Sequence, residues 1–460
     1  MSRPRVAVIG SGLTALLVAH HLDADVEVVP VPAAVDGSDP VRADGPLDLP
    51  ARFDAEAARL ATEGCAALGL GPAAAWWQPT GPVRVWIDDH LRTVPAGPLT
   101  TLPLPLSGVA TSRVLSPLGL ATLATGALRC RRHVAPGDRS AADLVDTCFG
   151  VEVRERLVAP YLAATAGGTP EELSAACELP ELWAERHRPP ATLRPATAPA
   201  VLAGCGVLEV PAGWAALVHR LHGSIEPRRW TAPAVSIGHD AHGPVVHLPG
   251  RVLEVDAVVV TTSATEAVRL LAGAYPGVAR ELHGIGHRTL VEVTLDHDAA
   301  SVPPGAERGV LLVPPRARRH TAWLDHHTGE AGGPVPGTVR TRAVLRPDVA
   351  ATVTAESDEE RLLHVVDAEV RRALRIRRPA PHRSVRRWVV PLRTVGHGAR
   401  LDRLVHQLDQ VPAGVHLGGP ALRGLGAAAR LHDAGRLAHE VRWQLAHRPR
   451  RADRDRVDTP

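Results

Sequence analysis

The stretch RVAVIGSGLTALLVAHHLDADVEVVPVPAAVDG near the N-terminus carries the pattern G-x-G-x-x-A at Gly10, Gly12 and Ala15. Residues of these types at this spacing suit a dinucleotide pyrophosphate. The first glycine permits a tight turn, the second lets phosphate approach the backbone, and the small third residue lets a helix pack closely on a strand. The helix that follows offers free N–H groups and the positive end of its dipole to the phosphates. The other half of such a site is an acid about 20 residues on, which accepts hydrogen bonds from the adenosine ribose. Counting places Pro30 there, and its ring has no acceptor. Glu27 falls three residues early, and Asp36 lies in the following loop. Losing one charge-assisted pair costs about 1.5–3 kcal/mol, or about one to two decades in affinity. That weakens a dinucleotide site without abolishing it.

A second segment, GVHLGGPALRGLGAAARLHDAG, places a glycine-rich turn between a strand and a helix near the C-terminus. Paired with the first motif, it implies a nucleotide fold assembled from both chain ends. A bound flavin dinucleotide, which lies across its domain, suits that arrangement better than NAD alone.

The residue inventory excludes other chemistry. The chain has no lysine and no asparagine, so all 52 of its Lys+Arg residues are arginine. Schiff-base lysines and Walker-type phosphate-binding lysines are excluded. Anions must be held by Arg, His or backbone N–H groups. The net charge of +3 makes no electrostatic case for nucleic acid. The 5 cysteines, Cys65, Cys130, Cys148, Cys177 and Cys205, are widely spaced and read as free thiols in a reduced compartment, with no metal site. His239, His242 and His247 are spaced like metal ligands but fit a hairpin with exposed imidazoles. No apolar run reaches the roughly 20 residues that span a bilayer, and no secretory signal pattern is present. The expectation is a soluble cytoplasmic protein with at most peripheral membrane contact.

The elements that must position these residues follow from periodicity. A strand is expected over Arg5–Ile9, a helix over Leu13–Leu22 and a second strand over Val26–Val29. Asp54–Leu70 reads as a helix, and PVRVWIDDHLRTVP as a hairpin turning at Asp88-Asp89. DRSAADLVDTCFGVEVRERLVAPYL leads an Ala- and Leu-rich helical stretch, closed by the Pro-rich break RHRPPATLRPATAPA. VPAGWAALVHRLHG reads as turn and helix, and AVVVTTSATEAVRLL as a buried strand entering a helix. LVEVTLD, GVLLVPP and TVRTRAVL read as strands. SDEERLLHVVDAEVRRALRI reads as an amphipathic helix with acids first and arginines last. At 460 residues, two or three domains are expected.

Taken in order, these segments resemble the protoporphyrinogen/coproporphyrinogen oxidase family, within the FAD-dependent amine-oxidase-like superfamily. The resemblance rests on VAVIGSGLTAL, DRSAADLVDTCFGVEVRERLVAPYLAATAGGTPEELSA, VPAGWAALVHRL, VVVTTSATEAVRLL, RRWVVPLRTVGHGARLDRL and HLGGPALRGLGAA. The last two blocks are the most specific. The resemblance implies an α/β plus α+β protein: a Rossmann-like FAD-binding domain from residues 1–75, 200–275 and 385–447, a β-sheet substrate domain from 76–114 and 276–384, and a helical subdomain from 115–199. Residues 448–460 read as a disordered tail. By resemblance, Gly10, Gly12, Leu13, Thr14 and Ala15 hold the pyrophosphate, Gly45 and Pro46 lie near the flavin, and Val235 meets adenine through its backbone. Pro420, Leu425, Gly426 and Ala427 lie along the flavin ring and ribityl chain. The family's ribose acid falls on Pro30, its arginine at about Ala34, and its Gly-Gly pair on Asp36-Gly37.

The implied activity is oxidation of a porphyrinogen, coproporphyrinogen III or protoporphyrinogen IX, in haem biosynthesis. Hydride passes to flavin N5, and dioxygen reoxidises the flavin to give hydrogen peroxide. The implied partners are the porphyrinogen, dioxygen and a ferrochelatase that takes the product. Arg84, Arg92 and Arg113 are candidates for substrate carboxylates, and His397 is a candidate proton carrier that equally fits a structural turn. Trp76, Trp77 and Trp86 read as one patch that lines a macrocycle site or packs a core. Two alternatives stand beside this reading. One is an amine or polyene oxidase of the same superfamily, although amine oxidases commonly use a lysine this chain does not have. The other is a non-catalytic or weakly FAD-binding relative, which Pro30 favours.

Overall fold

The computed structural model describes residues 3–22, 26–31, 55–69, 76–79, 81–95, 106–126, 137–185, 206–210, 214–225, 232–328, 337–353, 359–410 and 414–447. A four-stranded sheet takes the order Val415–Leu417, Ala257–Val260, Arg5–Ile9, Glu27–Val31, with every neighbouring pair parallel. Parallel strands need crossover connections and cover on both faces. The unbroken apolar runs VAVI and AVVV meet that need, and all eight residues are buried. Alternation sends Val6 and Val8 into a core shared with the helices Leu13–Leu22, Ala55–Ala67, Trp214–Ile225 and Ala427–His447. Ala7 and Ile9 enter a second core with the helices Ala264–Leu271 and Pro276–His283 and a three-stranded antiparallel sheet. This is the Rossmann-like sheet, built from both chain ends, that the two glycine motifs implied.

The second strand runs two residues past its expected end, through Pro30 to Val31. Glu27 N donates to Pro4 O at 2.7 Å, and Gly10 N donates to Val31 O at 3.2 Å. Odd-numbered residues therefore face the neighbouring strand, and Pro30 faces the open edge. A residue with no N–H loses no ladder bond there.

A seven-stranded sheet takes the order His382–Pro391, His287–Asp298, Thr338–Leu345, Thr321–Thr328, Gly309–Leu312, Val83–Ile87, His90–Thr93. Only the pair Gly309–Leu312 with Val83–Ile87 is parallel. The hairpin turns as expected: Asp88 and Asp89 have φ of 48° and 58°, the two left-handed positions of a type I′ turn. Two strands had no clear sequence signal. Thr321–Thr328 is buried on both faces and includes Asp325 and His326, so apolar and polar residues do not alternate. His382–Pro391 is an edge strand whose arginines and exposed Val389 hide its period. One face of this sheet packs on the amphipathic helix Glu359–Leu374. The other packs on the helical part, residues 106–126 and 137–185.

In the helical part, Ser116, Ser140 and Ser174 each cap a helix, the hydroxyl accepting the backbone N–H three residues on. The stretch expected to be helical breaks at Gly150, whose φ is 91°. It resumes at Val151 and widens into a π-turn over Arg154–Val158, just before Pro160. The free-thiol reading holds for Cys65 and Cys177; Cys148 is disulfide-bonded, contrary to expectation. His239 and His247 lie on the expected hairpin, with His242 at its turn. Among the described residues no helix is long and apolar enough to cross a membrane. The Pro-rich break at 186–200 and the tail at 448–460 lie outside the described residues.

Candidate cofactor and substrate site

The C-terminal ends of the parallel strands share one edge, and the helices Leu13–Leu22 and Ala427–His447 begin there. Ligands of open α/β sheets bind at that edge. Gly10 has φ +136°, and a Cβ on it would lie 2.6 Å from Thr261 Oγ1. Gly419 has φ +94°, and a Cβ there would lie 2.9 Å from Thr261 O. Thr261 thus sits wedged between the two glycine turns, its N–H donating to Ile9 O at 3.0 Å. No larger residue fits at either glycine.

Ser11 and Thr14 belong to the same glycine turn and the first turn of its helix. The two residues are 5% and 1% exposed, and among the described residues neither Oγ of Ser11 nor Oγ1 of Thr14 has a hydrogen-bond partner. Buried hydroxyls are ordinarily satisfied. Two orphaned hydroxyls in a glycine turn and the first turn of a helix fit a phosphate-bearing ligand there. The residues present therefore suit the pyrophosphate of FAD.

The C-terminal turn is pinned by a residue that motif reading missed. Asp433, on the last helix, accepts Gly419 N at 2.6 Å and Arg436 Nη2 at 2.6 Å. A Cβ on Gly418 would lie 2.6 Å from Asp433 Oδ2. Gly424 and Gly426, at φ +106° and +83°, flank Leu425. Leu425 packs against a buried cluster containing Tyr161, Trp323, Leu290, Val344 and Val390, which Trp388 also joins. Tyr161 and Trp323 meet edge-on with ring centroids 6.4 Å apart. The apolar core between the seven-stranded sheet and the helical part thus reaches the C-terminal glycine turn, and we call its edge there the apolar wall.

Charge lies on that same sheet face. The register places Asp325, Arg342 and Arg92 on the side of Trp323 and Val85. Arg342 Nη2 donates to Asp325 Oδ2 at 2.6 Å. Burial opposes the Asp325 charge, but Arg342 outweighs it and holds the carboxyl below its usual range. Arg84, opposite Thr93, falls on the other face and donates to Gly305 O at 3.1 Å. Arg84 and Arg92 therefore cannot hold one carboxylate together, because neighbouring residues of a strand point to opposite sides. Arg113 is exposed at φ +55°, after the helix Leu106–Ser112.

The tryptophans lie on strands of two different sheets. Trp76 and Trp77 lie on a strand paired with Gly206–Glu209, whereas Trp86 is buried in the seven-stranded sheet under the Arg319 guanidinium, 4.7 Å from its ring. Glu27 is exposed at the far end of its strand and pairs with Arg5 at 3.2 Å, so it does not serve as the ribose acid. Val235 donates its N–H to His247 O at 2.8 Å and accepts Arg269 Nη1 on its carbonyl at 2.7 Å. Gly45, Pro46, Ala34 and Asp36 lie outside the described residues.

His397 opens the helix His397–Asp409 and is fully buried, with neither ring nitrogen partnered among the described residues. Burial first, then Arg393 and Arg400, push its pKa down to about 4. The imidazole is therefore neutral at pH 7, with one N–H and one lone pair.

Sheet, cradle and apolar wall together define a class: the chain has the FAD-binding, amine-oxidase-like fold. It matches a candidate protoporphyrinogen oxidase from Exiguobacterium sp. 255-15 over 97% of this chain and 100% of that one, with TM-score 0.74 and 19% identity. It matches the cyclohexylamine oxidase of Brevibacterium oxydans IH-35A over 97% and 100%, with TM-score 0.65 and 16% identity. In sequence, 211 residues are 29% identical to a coproporphyrinogen III oxidase of Propionibacterium freudenreichii subsp. freudenreichii. That match spans 43% of this chain and 37% of the relative. No family model matches the chain. The resemblance to porphyrinogen oxidases read from the motifs thus recurs in both sequence and structure.

Proposed function

We propose that the chain is an FAD-dependent oxidase of a porphyrinogen, coproporphyrinogen III or protoporphyrinogen IX, serving haem biosynthesis. The observation that carries this reading is the junction at Leu425, where the C-terminal glycine turn meets an apolar wall of Tyr161, Trp323 and Trp388. A flat macrocycle with an apolar body and carboxylate edges suits such a wall with arginine on its face. Bound FAD would supply a hydride acceptor at N5 and be restored by dioxygen, giving hydrogen peroxide.

The protein's own part is binding, orientation and exclusion of water. Gly10, Gly12, Leu13, Thr14 and Ala15 hold the pyrophosphate, with the Ser11 and Thr14 hydroxyls donating to it. Pro420, Leu425, Gly426 and Ala427 border the ribityl chain and ring. Arg92 is the favoured carboxylate partner of the three arginines, because it alone of the two sheet arginines faces the wall. Neutral His397 can donate one hydrogen bond and accept another, but with a pKa near 4 it is a weak base. Amine oxidation is disfavoured because no lysine exists to stand near N5.

The test begins with the visible spectrum of the purified protein. Flavin bands, and FAD released on denaturation, are expected. Anaerobic addition of coproporphyrinogen III or protoporphyrinogen IX should bleach those bands, and air should restore them with porphyrin formed. A protein that takes up no FAD would leave the non-catalytic alternative standing. Bleaching by cyclohexylamine but by neither porphyrinogen would reject the substrate.

A further inference from the structure

Arg393 follows the edge strand His382–Pro391, where three distant stretches of chain meet. Its carbonyl accepts Ser174 N at 2.8 Å, and Leu173 forms a β-bridge with Thr394. Asp138 closes the same join, accepting Ser174 Oγ at 2.9 Å and Gly396 N at 2.7 Å. The segment from Arg393 to Gly396 is thereby fastened to the helical part. The Arg393 guanidinium binds Glu178 in a fork, with Nε and Nη2 each 2.8 Å from a carboxylate oxygen. The Glu178 side chain is almost fully buried. Such two-bond pairs fix direction as well as distance. The remaining nitrogen, Nη1, is 3.1 Å from where a Cβ of Gly424 would stand. The guanidinium thus lies tightly against Gly424, at the start of the turn that carries Leu425.

We propose that Arg393, held by Glu178, is a positioning residue for the turn Gly424–Ala427, so that the helical part sets how tightly the cofactor is held. This rests on the FAD reading above. Removing one partner alone would strand a buried charge and damage the fold for an unrelated reason. The test therefore replaces both. Arg393→Met with Glu178→Met removes the strut and keeps apolar bulk. Arg393→Gln with Glu178→Gln rebuilds it as a neutral hydrogen-bonded pair.

In apoprotein titrated with FAD, the Met pair should raise Kd by about tenfold or more, while the Gln pair stays within about threefold of the parent, a tenfold change being about 1.4 kcal/mol. Amide exchange at residues 424–427 of the apoprotein should quicken in the Met pair and recover in the Gln pair. Urea midpoints should be alike in both pairs, since exchanging a buried ion pair for well-packed residues is often near neutral. Parent-like FAD affinity and exchange in the Met pair would overturn the proposal. So would equal losses in the two pairs. If the parent protein takes up no FAD, the functional reading fails, and amide exchange alone still decides whether Arg393 orders the turn.

Discussion

Gly10→Ala puts the cradle under direct strain, and the structure sets the size of the effect. At φ +136° an alanine leaves its allowed backbone regions, which costs about 1–3 kcal/mol. Its Cβ would stand 2.6 Å from Thr261 Oγ1, and overpacking of that kind costs about 1–3 kcal/mol more. Thr261 cannot easily withdraw, because its N–H is bonded to Ile9 O at 3.0 Å and its hydroxyl reaches the same oxygen at 3.3 Å. The expected loss is about 2–6 kcal/mol in urea unfolding of the apoprotein, followed by circular dichroism. Thr261→Ala separates the two costs: it clears the space but leaves φ unchanged. In the double variant the steric share should vanish, giving a coupling of about 1–3 kcal/mol in the double-mutant cycle. A loss below about 1 kcal/mol for Gly10→Ala, or no coupling to Thr261→Ala, would refute the wedge.

Three further outcomes are expected. His326 and His397 are both buried, and burial is the first cause holding each pKa at about 4 rather than 6.5. The unfolded chain takes up protons at these sites below pH 6.5 and the folded protein does not. The stability they support is therefore complete above pH 6.5 and lost as pH falls toward 4, about 3 kcal/mol for each. His326→Gln should flatten that slope in urea unfolding between pH 7 and 4.5; an unchanged slope would count against it. Pro30→Glu should tighten FAD binding by about tenfold, and an unchanged Kd would show that no ribose meets this strand end. Asp433→Ala strands Gly419 N, while Arg436 keeps Glu440 and Leu417 O, and should cost about 1–3 kcal/mol; an unmoved urea midpoint would contradict the pinning role.

The Rossmann-like half was legible because its signals are local. VAVIGSGL states a strand, a turn and a helix start within a dozen residues, and the strand Arg5–Ile9 and helix Leu13–Leu22 form over the expected residues. The hairpin at Asp88-Asp89 was legible for the same reason. Pro30 misled the strand boundary because a proline inside a strand reads as its end. What permits it is the sheet order, which leaves Glu27–Val31 at an edge. Sheet order is not written in the five residues themselves.

The substrate side was obscure because its pairings span long separations in sequence. Asp325 with Arg342, Glu178 with Arg393, and Leu425 against the cluster that holds Tyr161 each join elements that no motif links. Arg84 and Arg92 show the reason at its smallest scale. The sequence offers both as carboxylate candidates alike, but a strand reverses direction with every residue, so register decides that they face opposite sides of the sheet. The same logic explains why Gly424 drew attention only as part of a glycine-rich turn. Two things ask for glycine there, a φ of +106° and the guanidinium of Arg393, 31 positions earlier in the chain, whose Nη1 stands 3.1 Å from where its Cβ would be. A motif records that a small residue is required; the neighbour that requires it appears only once the chain has folded. In this protein that neighbour is an arginine tied to the helical part, which makes the cofactor turn the meeting point of a legible half and a hidden one.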